Sequence, residues 1–134
     1  MTPVRLRRTA WMATAFYAAF HFVMTHLPPG NLPGIAVSNY LLHFLSYGFL
    51  AGCFYISLWL GGMAIKRAAL MVMFVTSAFA VFDEILQAPV GRTPELLDWV
   101  ADVSAALLAV TCFTLVRLVN RKRDEPPVAP VQAD

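Results

Sequence analysis

The stretch "FDEILQAPVGRTPELLDWVAD", Phe82 to Asp102, gathers five of the chain's eight carboxylates, together with Arg92 and Gln87. Upstream, His43 follows Ser38, Asn39 and Tyr40 at the head of a second apolar segment. These residue types in combination allow three kinds of chemistry. His43 and Glu84 form a candidate general base and acid for a lipid-linked ester or phosphate, which Arg92 would grip through its guanidinium fork. His43 with Glu84, Asp98 or Asp102 would make a mixed N/O metal set, but no pair has a tight ligand spacing, and the reading is of no metal and no cofactor. The same polar groups, without catalysis, would line a recognition pocket. No serine or cysteine nucleophile elbow is present, so an enzyme would have to use water. Ion or proton translocation through the carboxylates is a further reading, but the polar groups gather at one face and leave no continuous path.

The elements that must position these groups are apolar. Hydrophobic residues make up 59% of the 134 residues and charged residues 13%. The mean hydropathy is +0.64. A soluble domain of this size needs more charge to cover its surface, so the class is integral membrane, all-α, in one domain. Four stretches approach the length of a membrane-crossing helix, about 20 residues: Thr9 to Leu27, Ser38 to Gly62, Ala68 to Gln87, and Pro94 to Val119. "PPGNLPG", "GGMAIKR" and "APVGRTP" break them. Thr93-Pro94 reads as an N-cap followed by proline at the first helical position. The expected architecture is a four-helix transmembrane bundle. Residues 1–8 form a basic N-terminus, 9–119 the membrane domain, and 120–134 a proline-rich, disordered tail.

Arg5, Arg7, Arg8, Lys66, Arg67, Arg117, Arg121, Lys122 and Arg123 flank one face, and Arg92 alone the other. The positive-inside rule then places both termini and the Lys66 loop in the cytoplasm, and the Arg92 loop outside. Arg121 to Arg123 form a basic cluster suited to anionic lipid. Trp11, Trp59 and Trp99 fall near helix ends, as an aromatic belt would place them. Cys53 and Cys112 are read as small thiols without a disulfide framework. No nucleic-acid signature is present.

On that topology the polar groups converge at the outer face. Asp83, Glu84 and Gln87 end the third helix, while Glu95, Asp98 and Asp102 open the fourth. The uncharged runs Ala68–Phe82 and Val103–Val116 are short of a full span, so Asp83, Glu84 and Asp102 enter the outer leaflet and need partners. Glu95 suits the positive end of its helix, but Asp83 and Glu84 stand at a C-terminal end that disfavours acids. Arg92 and His43 are the first candidates to compensate them, with Arg92 bridging to Glu84 or Asp98. Glu95, Asp98 and Asp102 fall on one stripe, which Ala105 and Ala109 continue. Tyr40, His43 and Tyr47 share a face, and Gly48 and Gly52 make a small-xxx-small packing pair. His21 is read as an interhelical hydrogen bonder and His26 as an interface residue.

Pro28-Pro29, His43, Asp83-Glu84 with Gln87, Gly91-Arg92 and Asp98 occur in the order and spacing of the VanZ-like family of small membrane proteins. The chain resembles that family from about Leu27 to Ala109, with Asp102 where the family carries asparagine or aspartate. It departs at Asn39-Tyr40, where the family has an aspartate-lysine pair, and at Ala105, where it has glycine. The resemblance implies a cell-envelope role of the teicoplanin-resistance type in the bacterial cytoplasmic membrane. It also implies a polar site of His43, Asp83, Glu84, Gln87, Arg92, Asp98 and Asp102. The partners expected are the lipid bilayer and an envelope lipid, a glycopeptide or another membrane protein.

Overall fold

The computed structural model describes residues 4–27, 38–91, 93 and 95–124. The chain is all-helical: α1 (Val4–Thr25), α2 (Asn39–Leu60), α3 (Ile65–Gln87) and α4 (Leu96–Asp124), with a single 3-10 turn at Ala88–Val90. Pro28-Pro29, Arg92, Pro94 and residues 125–134 lie outside the described residues.

Three helices, α2, α3 and α4, are long and apolar enough to cross a membrane. α1, of 22 residues, carries Arg5, Arg7 and Arg8 in its first turns. Helix ends differ from the sequence expectation wherever charge was taken as a stop. α1 begins at Val4 rather than Thr9, and α3 at Ile65 rather than Ala68. α4 runs past Val119 to Asp124, so residues 120–124 are helical and not tail. Arg121, Lys122 and Arg123 occupy the last turn of α4, where cations favour the negative end of the helix dipole. Pro94 of the expected Thr93-Pro94 cap lies outside the described residues; at the start of α4, Asp98 N and Trp99 N both donate to the Glu95 carbonyl.

α2 is the hub. It packs most extensively against α4 and also meets α1 and α3, whereas α1 touches α3 only slightly. The core along these contacts uses small residues: Ala51, Ala68 and Ala106 interlock with Tyr55, Leu58, Val72 and Val110. A second cluster of Tyr47, Leu50 and Ala80, with Trp99 against it, fills the other half. In lipid such seams cohere through van der Waals contact rather than water exclusion, so small side chains and close approach matter. The outside is correspondingly apolar. Phe16, Phe74, Met12 and Leu96 are all more than 70% exposed, the inverse of a soluble surface.

Gly48 and Gly52 fulfil the expected packing role against α4, with different tolerances. A Cβ at Gly48 would sit 3.5 Å from the Ala105 Cβ, while one at Gly52 would sit 3.0 Å from Phe113 Cε2. Gly48→Ala is therefore expected to be neutral or to stabilise by up to about 1 kcal/mol through helix propensity. Gly52→Leu is expected to cost about 2 kcal/mol or more by overpacking. Thermal unfolding in detergent micelles compares them, and equal midpoints for the two variants would contradict this seam. The α2–α3 connection turns at Gly62, whose φ of +80° falls in the left-handed region.

Candidate functional site

The end of α1, the start of α2, the end of α3 and the start of α4 meet at one end of the molecule. There His43, Asp83, Glu84, Gln87, Asp98 and Asp102 are all buried. They divide into two layers joined by Tyr47.

The first layer centres on Asp83, which is 1% exposed. Its Oδ1 accepts the Thr25 hydroxyl proton at 2.9 Å and its Oδ2 the Tyr47 hydroxyl proton at 3.4 Å. His21 Nε2 lies 3.6 Å from Oδ2 and His26 Nδ1 3.5 Å from Oδ1. Here α1 supplies what α3 needs. The positions Tyr17, His21 and Thr25 recur every four residues along one face of α1. The Tyr17 hydroxyl donates to the Ser46 carbonyl at 3.3 Å. The acid at the disfavoured end of α3 is thus held by histidines and hydroxyls.

The second layer centres on His43. Its Nδ1 lies 3.1 Å from Asp102 Oδ1, and its Nε2 lies 3.8 Å from Asp98 Oδ2. Asn39 Nδ2 donates to Asp98 Oδ2 at 2.7 Å. Asn39, a polar residue at the head of α2 that departs from the family pattern, thus tethers Asp98. The His43 and Tyr47 rings run nearly parallel, 6.4 Å apart, and the His21 ring meets Tyr47 edge-on at 4.6 Å. Tyr47 therefore connects both layers through its ring and its hydroxyl.

Glu84 differs from both. Its Oε1 accepts the backbone N–H of Glu95 at 2.8 Å. The carboxylate that stands at the unfavourable end of α3 thereby sits at the favourable end of α4 and takes up one of its free donors. The compensation comes from a backbone amide of the next helix; Arg92, the sequence candidate, lies outside the described residues. Glu84 Oε2, Gln87 Nε2 and Trp99 Nε1 are buried with no hydrogen-bond partner among the described residues. Beside them, Val81, Glu84, Ile85, Glu95, Leu96 and Trp99 line a groove of about 380 Å³ between α3 and α4.

The stripe of Glu95, Asp98 and Asp102 splits: Asp98 and Asp102 turn inward, while Glu95 is exposed. Its Oε2 accepts the Tyr40 hydroxyl proton at 2.9 Å. Tyr40 thus leaves the face of His43 and Tyr47 for the rim. The sequence places His26 and Asn39 near this end of the bundle, but it does not assign His21, Thr25 or Tyr47 to the site. The signal that could have found them is the polar spacing on α1 opposite an acid that lacks a nearby cation. Among the described residues, no group of three or more His, Cys, Asp or Glu side chains is placed to hold a metal ion. Both cysteines are free. No family model, curated protein or solved structure matches the chain.

Proposed function

We propose that the chain is a VanZ-like binding protein of the cell envelope, and that its α3–α4 groove takes an amphiphile at the membrane's outer surface. The observation that carries this reading is Glu84. One oxygen bonds the Glu95 amide at the start of α4, the other is buried with no partner among the described residues, and the side chain lines an otherwise mainly apolar groove. Burying an acceptor unmade costs about 1–3 kcal/mol, and a ligand donor meeting it would recover that cost. Val81, Ile85 and Leu96 would take the ligand's apolar part, and Glu84 its polar head.

The reading includes four membrane spans in a bacterial cytoplasmic membrane, with both termini inside. Three arginines in its first turns lower the hydropathy of α1, and its buried residues lower it further. They are Thr14, His21 and Thr25, all polar, and two of them bond to other helices: Thr14 to Ser57 at 2.9 Å and Thr25 to Asp83. Its outward residues Met12, Phe16, Phe20 and Val23 are apolar and exposed. Beyond its arginines, α1 thus keeps polar groups on its inward face and apolar ones outside. The positive-inside distribution of lysine and arginine supports the orientation.

The alternative, hydrolysis of a lipid-linked substrate by His43 and Glu84, has less support. A general base must offer a ring nitrogen to the substrate's proton. His43 commits Nδ1 to Asp102 and turns Nε2 toward Asp98, both within a buried layer.

Glu84→Gln tests the proposal cleanly, because the amide oxygen keeps the Glu95 cap while the second position changes from acceptor to donor. A bacterial host expressing the chain is expected to tolerate several-fold more teicoplanin, and Glu84→Gln is expected to abolish that protection with an unfolding midpoint near wild type. Full protection by a folded Glu84→Gln would rule the groove out, and no protection by the wild-type chain would remove the glycopeptide branch.

A further inference from the structure

At the opposite end of the bundle, where the basic residues gather, a cavity of about 620 Å³ opens between the start of α3 and the end of α4. Lys66, Arg117 and Arg121 line it, and among the described residues no acidic side chain does. Arg117 is fixed in place. Its Nη2 donates to the Met63 carbonyl at 2.8 Å, and its guanidinium lies 5.5 Å from the Trp59 ring and 5.9 Å from the Tyr55 ring. Its Nη1 is buried and has no partner among the described residues. Ala64, the N-cap of α3, offers no side-chain cap, so the first-turn amides of α3 add donors to the same wall.

The geometry points to a discrete site for the phosphodiester headgroup of an anionic phospholipid, held by Lys66, Arg117 and Arg121. The occupant is a lipid because the cavity does not end in charge. Ala69 and Leu118 continue its lining, and Leu118 is exposed on the outside of α4. Both flanking helices are long and apolar enough to cross a membrane, so acyl chains would run along them while the phosphate meets the cations. Such a site is narrower than general attraction of a basic surface to an anionic membrane, because it depends on which cations line the cavity and not on how many the face carries. It also stands apart from the Glu84 groove at the other end, so either assignment can fail alone.

The test uses the full chain with Trp11→Phe and Trp99→Phe, leaving Trp59 as the only tryptophan, in phosphatidylcholine nanodiscs. Brominated phosphatidylglycerol is titrated in and Trp59 quenching is read. The site predicts half-quenching at a mole fraction several-fold lower than for brominated phosphatidylcholine. Lys66→Gln/Arg121→Gln should raise that mole fraction roughly fivefold per cation removed. Arg67→Gln/Arg123→Gln removes the same charge from residues that do not line the cavity and should leave the curve nearly unchanged. All four residues are exposed, so these variants do not disturb the core. Equal losses in the two pairs would show diffuse attraction and overturn the site, as would equal quenching by the two lipids. Displacement of the brominated lipid by millimolar inorganic phosphate would assign the cations to a free anion and overturn the lipid assignment.

Discussion

Asp83→Ala is expected to destabilise the protein by about 2–3 kcal/mol, seen as a lower unfolding midpoint in bicelles or detergent. Individual hydrogen bonds between membrane helices contribute about 0.6 kcal/mol on average, whereas removing one partner of a buried ion pair costs about 3–5 kcal/mol. Asp83 accepts two such bonds and lies beside two histidine rings, which form ion pairs with it only when protonated. It accepts from Thr25 and Tyr47 and faces His21 and His26 from a position that is 1% exposed. Thr25 has a fallback, since its hydroxyl also donates to the Phe22 carbonyl at 3.0 Å. Among the described residues the Tyr47 hydroxyl has no other acceptor and His21 Nε2 has no partner at hydrogen-bond distance, so these two bear most of the loss. Asp83→Asn keeps one acceptor oxygen in place and is expected to lose about half as much. A wild-type midpoint for Asp83→Ala would show that the layer contributes nothing net to stability.

The second large effect is the coupling between His43 and Asp102. In a double-mutant cycle, His43→Ala and Asp102→Ala should each cost about 2 kcal/mol, and the double variant should cost less than their sum by about 1–2 kcal/mol. The His43–Asp98 cycle should give a smaller coupling, under about 1 kcal/mol. Asp98 lies farther from the ring, 3.8 Å against 3.1 Å, and already accepts a 2.7 Å bond from Asn39. The ranking is the decisive quantity: a larger coupling to Asp98 would mean that His43 is oriented by the wrong carboxylate in this structure. Unfolding midpoints of the variants, taken in one detergent, supply every term.

The sequence makes the polar end legible because helix periodicity and charge placement are local properties. Asp98 and Asp102 do turn inward four residues apart, and Glu95 does stay exposed at the start of its helix. Two features were not legible, for different reasons. The partner of Glu84 among the described residues is a backbone amide, which no side-chain pattern displays. The partners of Asp83 come from α1 and, through Tyr47, from α2, and which helices lie against α3 depends on bundle packing rather than on spacing within any one segment. Helix ends were misjudged by a single cause. Apolarity marks where a helix can sit in lipid, but the backbone bonds of α1 and α4 continue through Arg5 and Arg123 into the charged flanks.

The polar inner face of α1 bears on how the chain is made. On the proposed topology α1 reaches the bilayer before any partner exists, exposing Thr14, His21 and Thr25 to hydrocarbon. Ser57 arrives only with α2 and Asp83 only with α3. Until then the Thr14 and Thr25 hydroxyls can turn to the Ala10 and Phe22 carbonyls of their own helix. His21, whose Nε2 faces Asp83 at 3.6 Å, gains that partner only with the third helix. On the proposed topology the final seating of α1 therefore waits for α3.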